Sequence, residues 1–141
     1  MIDSNLSASL VTLLSELVDG TRPTGGYMLN RGDPGILRSL DRINAPEASA
    51  IVSDGSSIAA HVDHVMFGIT LMNRWAGGEK NPWKGADWKA SWKRTTVDEA
   101  GWADLREHFA DELRTWLDAI KKPREMTDTE LSGVISSIAH L

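Results

Sequence analysis

Apolar positions fall into helical periods along most of this chain and divide it into four long amphipathic segments. Leu6, Leu10, Leu13, Leu14 and Leu17 recur on one face of a 3.6-residue period. The first helix is therefore expected from Asp3 or Ser4, both natural N-caps, to Val18, with Gly20 as its stop. In Ser56–Trp75, Ile58, Val62, Val65, Met66, Ile69 and Met72 make a second stripe, capped by Ser56 or Ser57 and closed by Gly77-Gly78. Thr96-Val-Asp-Glu99 reads as a capping box opening a third helix, whose stripe is Trp102, Leu105, Phe109, Leu113, Trp116, Leu117 and Ile120. Pro123 ends it. Thr127-Asp-Thr-Glu130 is a second capping box, and Leu131–Leu141 follows as the last helix. That segment carries no formally charged side chain apart from any share held by His140, so it is expected to be buried on most sides.

The connections read differently. Asp19 to Asn30 is rich in Gly and Pro and should be a loop. Asp33-Pro34 pairs an N-cap with proline at the first helical position, starting a short helix through Ile36, Leu37, Leu40 and Ile43. Asn44-Ala-Pro46-Glu47 repeats the device, and Asp54-Gly55 breaks the chain. From Gly77 to Thr95 there is no clear period, but tryptophans stand at 83, 88 and 92, which predicts a crossover packed on the body. No strand pattern, internal repeat or second domain is visible. The predicted fold is all-α, one domain over 1–141: an up-down-type four-helix bundle with a long Trp-rich crossover between its second and third long helices.

Composition narrows the partners. A net charge of −5 gives no basic footprint, which argues against nucleic acid or an anionic membrane as partner. The absence of cysteine removes disulfides, thiolate metal sites and thiol nucleophiles. The N-terminus lacks the basic start and cleavage site of a signal peptide, and no apolar run approaches spanning length, so a cytoplasmic protein is expected. Six tryptophans against one tyrosine and two phenylalanines mark the region around the crossover as packed.

Candidate chemistry rests on histidines. His61 lies at the edge of the second stripe, roughly 70° from its centre, and His64 roughly 130° round. Both project from neighbouring faces of one helix, and His140 comes from the last helix. Bundle interiors commonly hold metals between facing helices, and imidazole without thiolate suits Zn, Ni, Fe or Cu. Core packing with a satisfied hydrogen bond explains the same positions, and the residues alone leave both readings open. On the last helix, His140 stands opposite the stripe of Leu131, Val134, Ile135, Ile138 and Leu141, on a face of Gly133, Ser136 and Ser137. Those small residues permit close helix approach or leave a small cavity. His108, beside Glu107, Asp111 and Glu112, reads as solvated. Asp63 reads as a surface charge before a partner of the histidines, the tryptophans as structure before a stacking wall, and Lys80, Lys84, Lys89, Lys93 and Arg94 as a solvated face. No nucleophile elbow, P-loop or dinucleotide fingerprint is present.

The runs MLNRGDPGILRSLDRINAPEAS (28–49), SSIAAHVDHVMFGITLMNRW (56–75) and DWKASW (87–92), with a last helix ending SSIAHL (136–141), resemble the DinB-like superfamily of YfiT-related four-helix bundles. The resemblance covers most of the chain in the same order. It implies a divalent metal, Zn or Ni before Fe, held by three histidines: one on the second long helix and a His-x-x-x-His pair on the fourth. By position, His61 matches the ligand of the second helix, with His64 as the alternative, and His140 the first of the fourth-helix pair. The resemblance further implies a homodimer, and a metal-dependent hydrolase or a transferase acting with low-molecular-weight thiols on a small molecule. The pattern departs at one point. The residue four past His140 lies beyond Leu141, so the expectation is either a chain shortened within its last helix or an incomplete site. The competing expectation is a non-catalytic helical protein that binds a small ligand or partner through the Trp-rich crossover and a dimer face.

Overall fold

The computed structural model of the chain describes residues 4–141; Asp3, one of the two caps expected for the first helix, lies outside them. Among the described residues there are six α-helices: α1 (Ser4–Asp19), α2 (Gly35–Asp41), α3 (Ala45–Ser49), α4 (Ile58–Ala76), α5 (Glu99–Ile120) and α6 (Asp128–Ala139). A single 3-10 turn, Ala90–Trp92, interrupts the connection from α4 to α5. Among the described residues there is no strand, only an isolated bridge between Arg22 and Gly25. The fold is all-α, as the periodicity predicts. No helix among the described residues is long and apolar enough to cross a membrane.

The core is built around α5. All seven residues of its predicted stripe are buried, and the helix packs on α4 and α1, with α2 and α3 against its N-terminal half. Burying side chains of this size contributes roughly 1.5–3 kcal/mol each. The two indoles in the stripe bring an N–H into that core, and both are satisfied. Trp102 Nε1 donates to the carbonyl of Ile43 at 2.6 Å, and Trp116 Nε1 to Ser137 Oγ at 2.9 Å. Each bond also ties a separate segment to α5, the first the connection after α2 and the second α6.

Helix ends follow the predicted caps at α3, α4 and α6. Asn44 and Glu47 close a capping box, and so do Thr127 and Glu130, while Ser57 accepts from Ala60 N at 3.2 Å. Two ends differ from prediction. Asp98, not Thr96, caps α5, accepting from Gly101 N at 2.7 Å. The shift has a tertiary cause. Val97 is held by Ser49, whose Oγ accepts from Val97 N at 2.9 Å and donates to Val97 O at 3.2 Å, and Glu99 reaches across to Ala45 N at 3.2 Å. At α2, Pro34 occupies the N-cap without a side-chain bond, because the Asp33 carboxylate accepts instead from Asn30 N at 2.9 Å. Gly35 (φ +78) and Gly20 (φ +93) bring the start of α2 and the end of α1 into backbone contact. A Cβ at Gly35 would stand 2.4 Å from Gly20 N, so only glycine fits there.

The last helix departs furthest from prediction. It is not buried on most sides: of its residues only Val134 and Ile138 are buried, while Ile135 is 49% exposed. The helix packs on α1 and α4 along one narrow face. Its lack of charge reflects serine, glycine and alanine on the remaining faces rather than enclosure.

A second feature was not legible in the pattern. Glu16, buried at the end of α1, accepts from the backbone N–H of Leu29 (2.6 Å), Met28 (2.7 Å) and Tyr27 (2.8 Å), pinning the loop before α2. The Leu29 bond first and the Tyr27 bond next hold its carboxyl below the usual carboxylate range.

Two outcomes check this account. Ile138→Ala should cost about 2–5 kcal/mol in urea unfolding, and Ile135→Ala no more than about 0.5 kcal/mol; equal costs would contradict the one-sided burial of α6. Glu16→Gln should lower the melting temperature by several degrees at neutral pH. A carboxylate held low contributes stability above its ordinary 4.5 and loses it as pH falls through the lowered value. The wild-type chain should therefore lose stability over that acid range, and Glu16→Gln should lack that component.

Candidate functional site

The small residues of α6 leave space against α4. Gly133 faces Met72, and a Cβ there would still be 3.7 Å from Met72 Cε; Gly68 of α4 faces the Trp88 ring at a comparable 3.6 Å. The result is a cavity of about 300 Å³. Val65, Ile69 and Met72 of α4 and the indoles of Trp83 and Trp88 supply its apolar walls. His64 from α4, and Ser136, Ser137 and His140 from the other side, supply its polar edge. Glu130 also lines it, but both carboxylate oxygens are engaged, one by Trp75 Nε1 and the other by the N–H and hydroxyl of Thr127.

His64 is clamped by the crossover. Its Nδ1 lies 2.7 Å from Ser91 Oγ, its ring stacks on Trp92 (centroids 3.9 Å, planes 20° apart), and Trp88 meets it edge-on at 6.0 Å. Burial pushes its pKa down first, and the nearby imidazoles of His140 and then His61 push it further, so the ring is neutral at physiological pH. His61 is exposed one turn away, its ring edge-on to Trp92 at 5.0 Å and its Nδ1 2.9 Å from Ser57 O. His140 follows the end of α6, also exposed, with Nδ1 2.7 Å from Ser136 O. A carbonyl only accepts, so Nδ1 of His61 and of His140 carries a proton, and in the neutral ring the lone pair is on Nε2. Fixing Nδ1–H on a backbone acceptor is how proteins prepare an imidazole as a ligand.

The structure thus brings His64 and His140 to one cavity and leaves His61 beside it, sharing Trp92 with His64. The nitrogen chemistry fits a borderline divalent metal. The grouping does not reach a catalytic set: among the described residues no three His, Cys, Asp or Glu side chains could together hold a metal ion. Asp63 lies 3.9 Å from Arg94, in a loose surface pair, and His108 is exposed on α5. Ser91 was not singled out by sequence reasoning. The available signal was a hydroxyl residue between two tryptophans in DWKASW, within a stretch that has no period.

Compared with protein-family models, with curated proteins and with solved structures, the chain matches none.

The lowered pKa of His64 has a measurable sign. The unfolded chain takes up a proton near 6.5 while folded His64 stays neutral, so stability is full above 6.5 and falls as pH drops through the lowered value. Melting temperature followed from pH 7.5 to about 5 should decline, and His64→Gln should flatten part of that slope; an unchanged slope would refute the assignment.

Proposed function

We propose that this chain is a DinB-like helical protein that acts on a small, mostly apolar molecule held between α4 and α6. A divalent metal, Zn or Ni before Fe, is taken by imidazoles at the cavity edge. The observation that carries this reading is that His64 and His140, from different helices, edge one apolar cavity. The finer architecture belongs to the same reading: a four-helix bundle of α1, α4, α5 and α6, with α2 and α3 as short additions, paired as a homodimer. His64 and His140 would hold the metal through Nε2, and His61 is the third imidazole within electrostatic reach. When bound, such a metal supplies the Lewis acidity that a hydrolysis or a thiol-dependent transfer draws on. The chain's own residues do the rest: Trp83 and Trp88 keep water from the apolar wall, and the carbonyl of Ser136 fixes the proton of His140.

A second reading is a non-catalytic binder of small molecules with an incomplete metal site. It is favoured by one specific observation, that the described residues gather no three-ligand set.

Metal titration of the chelator-treated protein separates the two. In the first reading the wild type takes up Zn²⁺ or Ni²⁺, and His64→Ala and His140→Ala each weaken uptake on the order of tenfold or more. Uptake that is absent, or indifferent to both substitutions, leaves the non-catalytic reading.

A further inference from the structure

The hydrogen-bond partner of His64 is a hydroxyl, which can donate or accept, so the tautomer of this ring has to be settled from what Ser91 does elsewhere. Ser91 Oγ lies 2.6 Å from the carbonyl of Trp88, an acceptor only, and therefore spends its one proton there. Toward His64, 2.7 Å away, it has only lone pairs left. The proton between them belongs to His64 Nδ1. Ser91 is buried within the 3-10 turn, so water does not compete for this arrangement. The stacking of Trp92 fixes the plane of the ring as well. The Nδ1 edge of His64 is against Ser91, which does not line the cavity, whereas His64 itself does.

The rest of the cavity limits what can meet His64 Nε2. No lysine or arginine is among the described residues lining it. Ser137 donates its proton to Val134 O at 2.6 Å and receives Trp116 Nε1, so its donor is spent too. Glu130 already accepts three hydrogen bonds and adds negative charge. A carboxylate or phosphate would enter a mostly apolar space with no lysine or arginine side chain to receive it. A cavity of about 150 Å³ holds benzene, so one of about 300 Å³ has room for a fused two-ring body.

We propose that the α4/α6 cavity takes an uncharged, ring-containing molecule bearing a hydrogen-bond donor, that the donor is presented to Nε2 of His64, and that Ser91 is the positioning residue that keeps this nitrogen bare. This deepens the small-molecule reading above by naming the ligand class, and it concerns the metal-free chain, because the one lone pair on Nε2 cannot hold a metal and accept a hydrogen bond together.

The test uses the full chain with excess EDTA at about pH 8, where the ring is neutral. Three probes of one shape are titrated by calorimetry: 2-naphthol, 2-methoxynaphthalene and 2-naphthoate. The expected result is 2-naphthol binding about tenfold tighter than the methyl ether, the worth of one well-placed hydrogen bond, with the carboxylate no tighter than the ether. Long-range ¹H–¹⁵N spectra of the unliganded chain should show His64 protonated at Nδ1 and bare at Nε2. Ser91→Ala should mix the tautomers and shrink the naphthol preference several-fold while leaving the ether unchanged, and His64→Leu should abolish the preference. Equal binding of naphthol and ether, tightest binding of the carboxylate, no binding of naphthol, or a proton on Nε2 would each overturn the proposal. If Ser91→Ala does not fold, the wild-type spectra and probe series decide by themselves. The metal reading fails separately: a chain that discriminates the probes but takes up no Zn²⁺ or Ni²⁺ loses that reading alone, and one that binds metal without discriminating loses this one alone.

Discussion

The structure depends on the aromatic stripe of α5. Trp102, Phe109 and Trp116 are the largest fully buried side chains among the described residues, and two of them carry an N–H that the core must satisfy. Those two bonds decide where neighbouring segments lie. Trp102 draws in the Ile43 carbonyl from the connection between α2 and α3, and Trp116 draws in Ser137 of α6. A core that required only apolar contact would tolerate sliding of α6. An indole that must find Ser137 Oγ does not, because an unpaired buried N–H costs about 1–3 kcal/mol.

The cavity is a consequence of that anchoring. Held by Trp116 and by burial of Val134 and Ile138, α6 turns Gly133, Ser136 and Ser137 toward α4, and these side chains are too small to fill the gap. The crossover completes the enclosure. Trp83 and Trp88 wall it, and the 3-10 turn that follows supplies Ser91 and Trp92 to fix the ring of His64. The Trp-rich segment is therefore both structure and site: one short stretch covers the gap and orients the polar group at its edge.

How much of this was legible in the sequence differs by element. The α5 stripe was readable residue by residue, because seven large apolar side chains at helical spacing admit no other face. The caps of α3, α4 and α6 were readable because their bonds are local. The caps of α2 and α5 were not, since Asp33 turns back to Asn30 and Ser49 captures Val97 from 48 residues away. Lack of charge in Leu131–Leu141 suggested enclosure, but small residues satisfy the same pattern while lying open or lining a void. The face of Gly133, Ser136, Ser137 and His140 left close helix approach and a small cavity both open, and the structure has the cavity. Helical angle and resemblance favoured His61 over His64; the cavity lining includes His64 and not His61. What angle alone could not register is the crossover, whose side chains fold back over the far side of α4 and turn a position off the apolar stripe into a partly buried one. The clamp by Glu16 escaped for the same reason, a side chain bonding backbone in a loop with no period.

An apolar space lies between α4 and α6 beside His64. Crystals of the chain pressurised with xenon, which occupies dry apolar cavities, test it most directly. A xenon site is expected between Met72 and the Trp88 ring, flanked by Gly68 and Gly133. Crystals with no xenon there, and with Met72 or Trp88 closed over the gap, would contradict it.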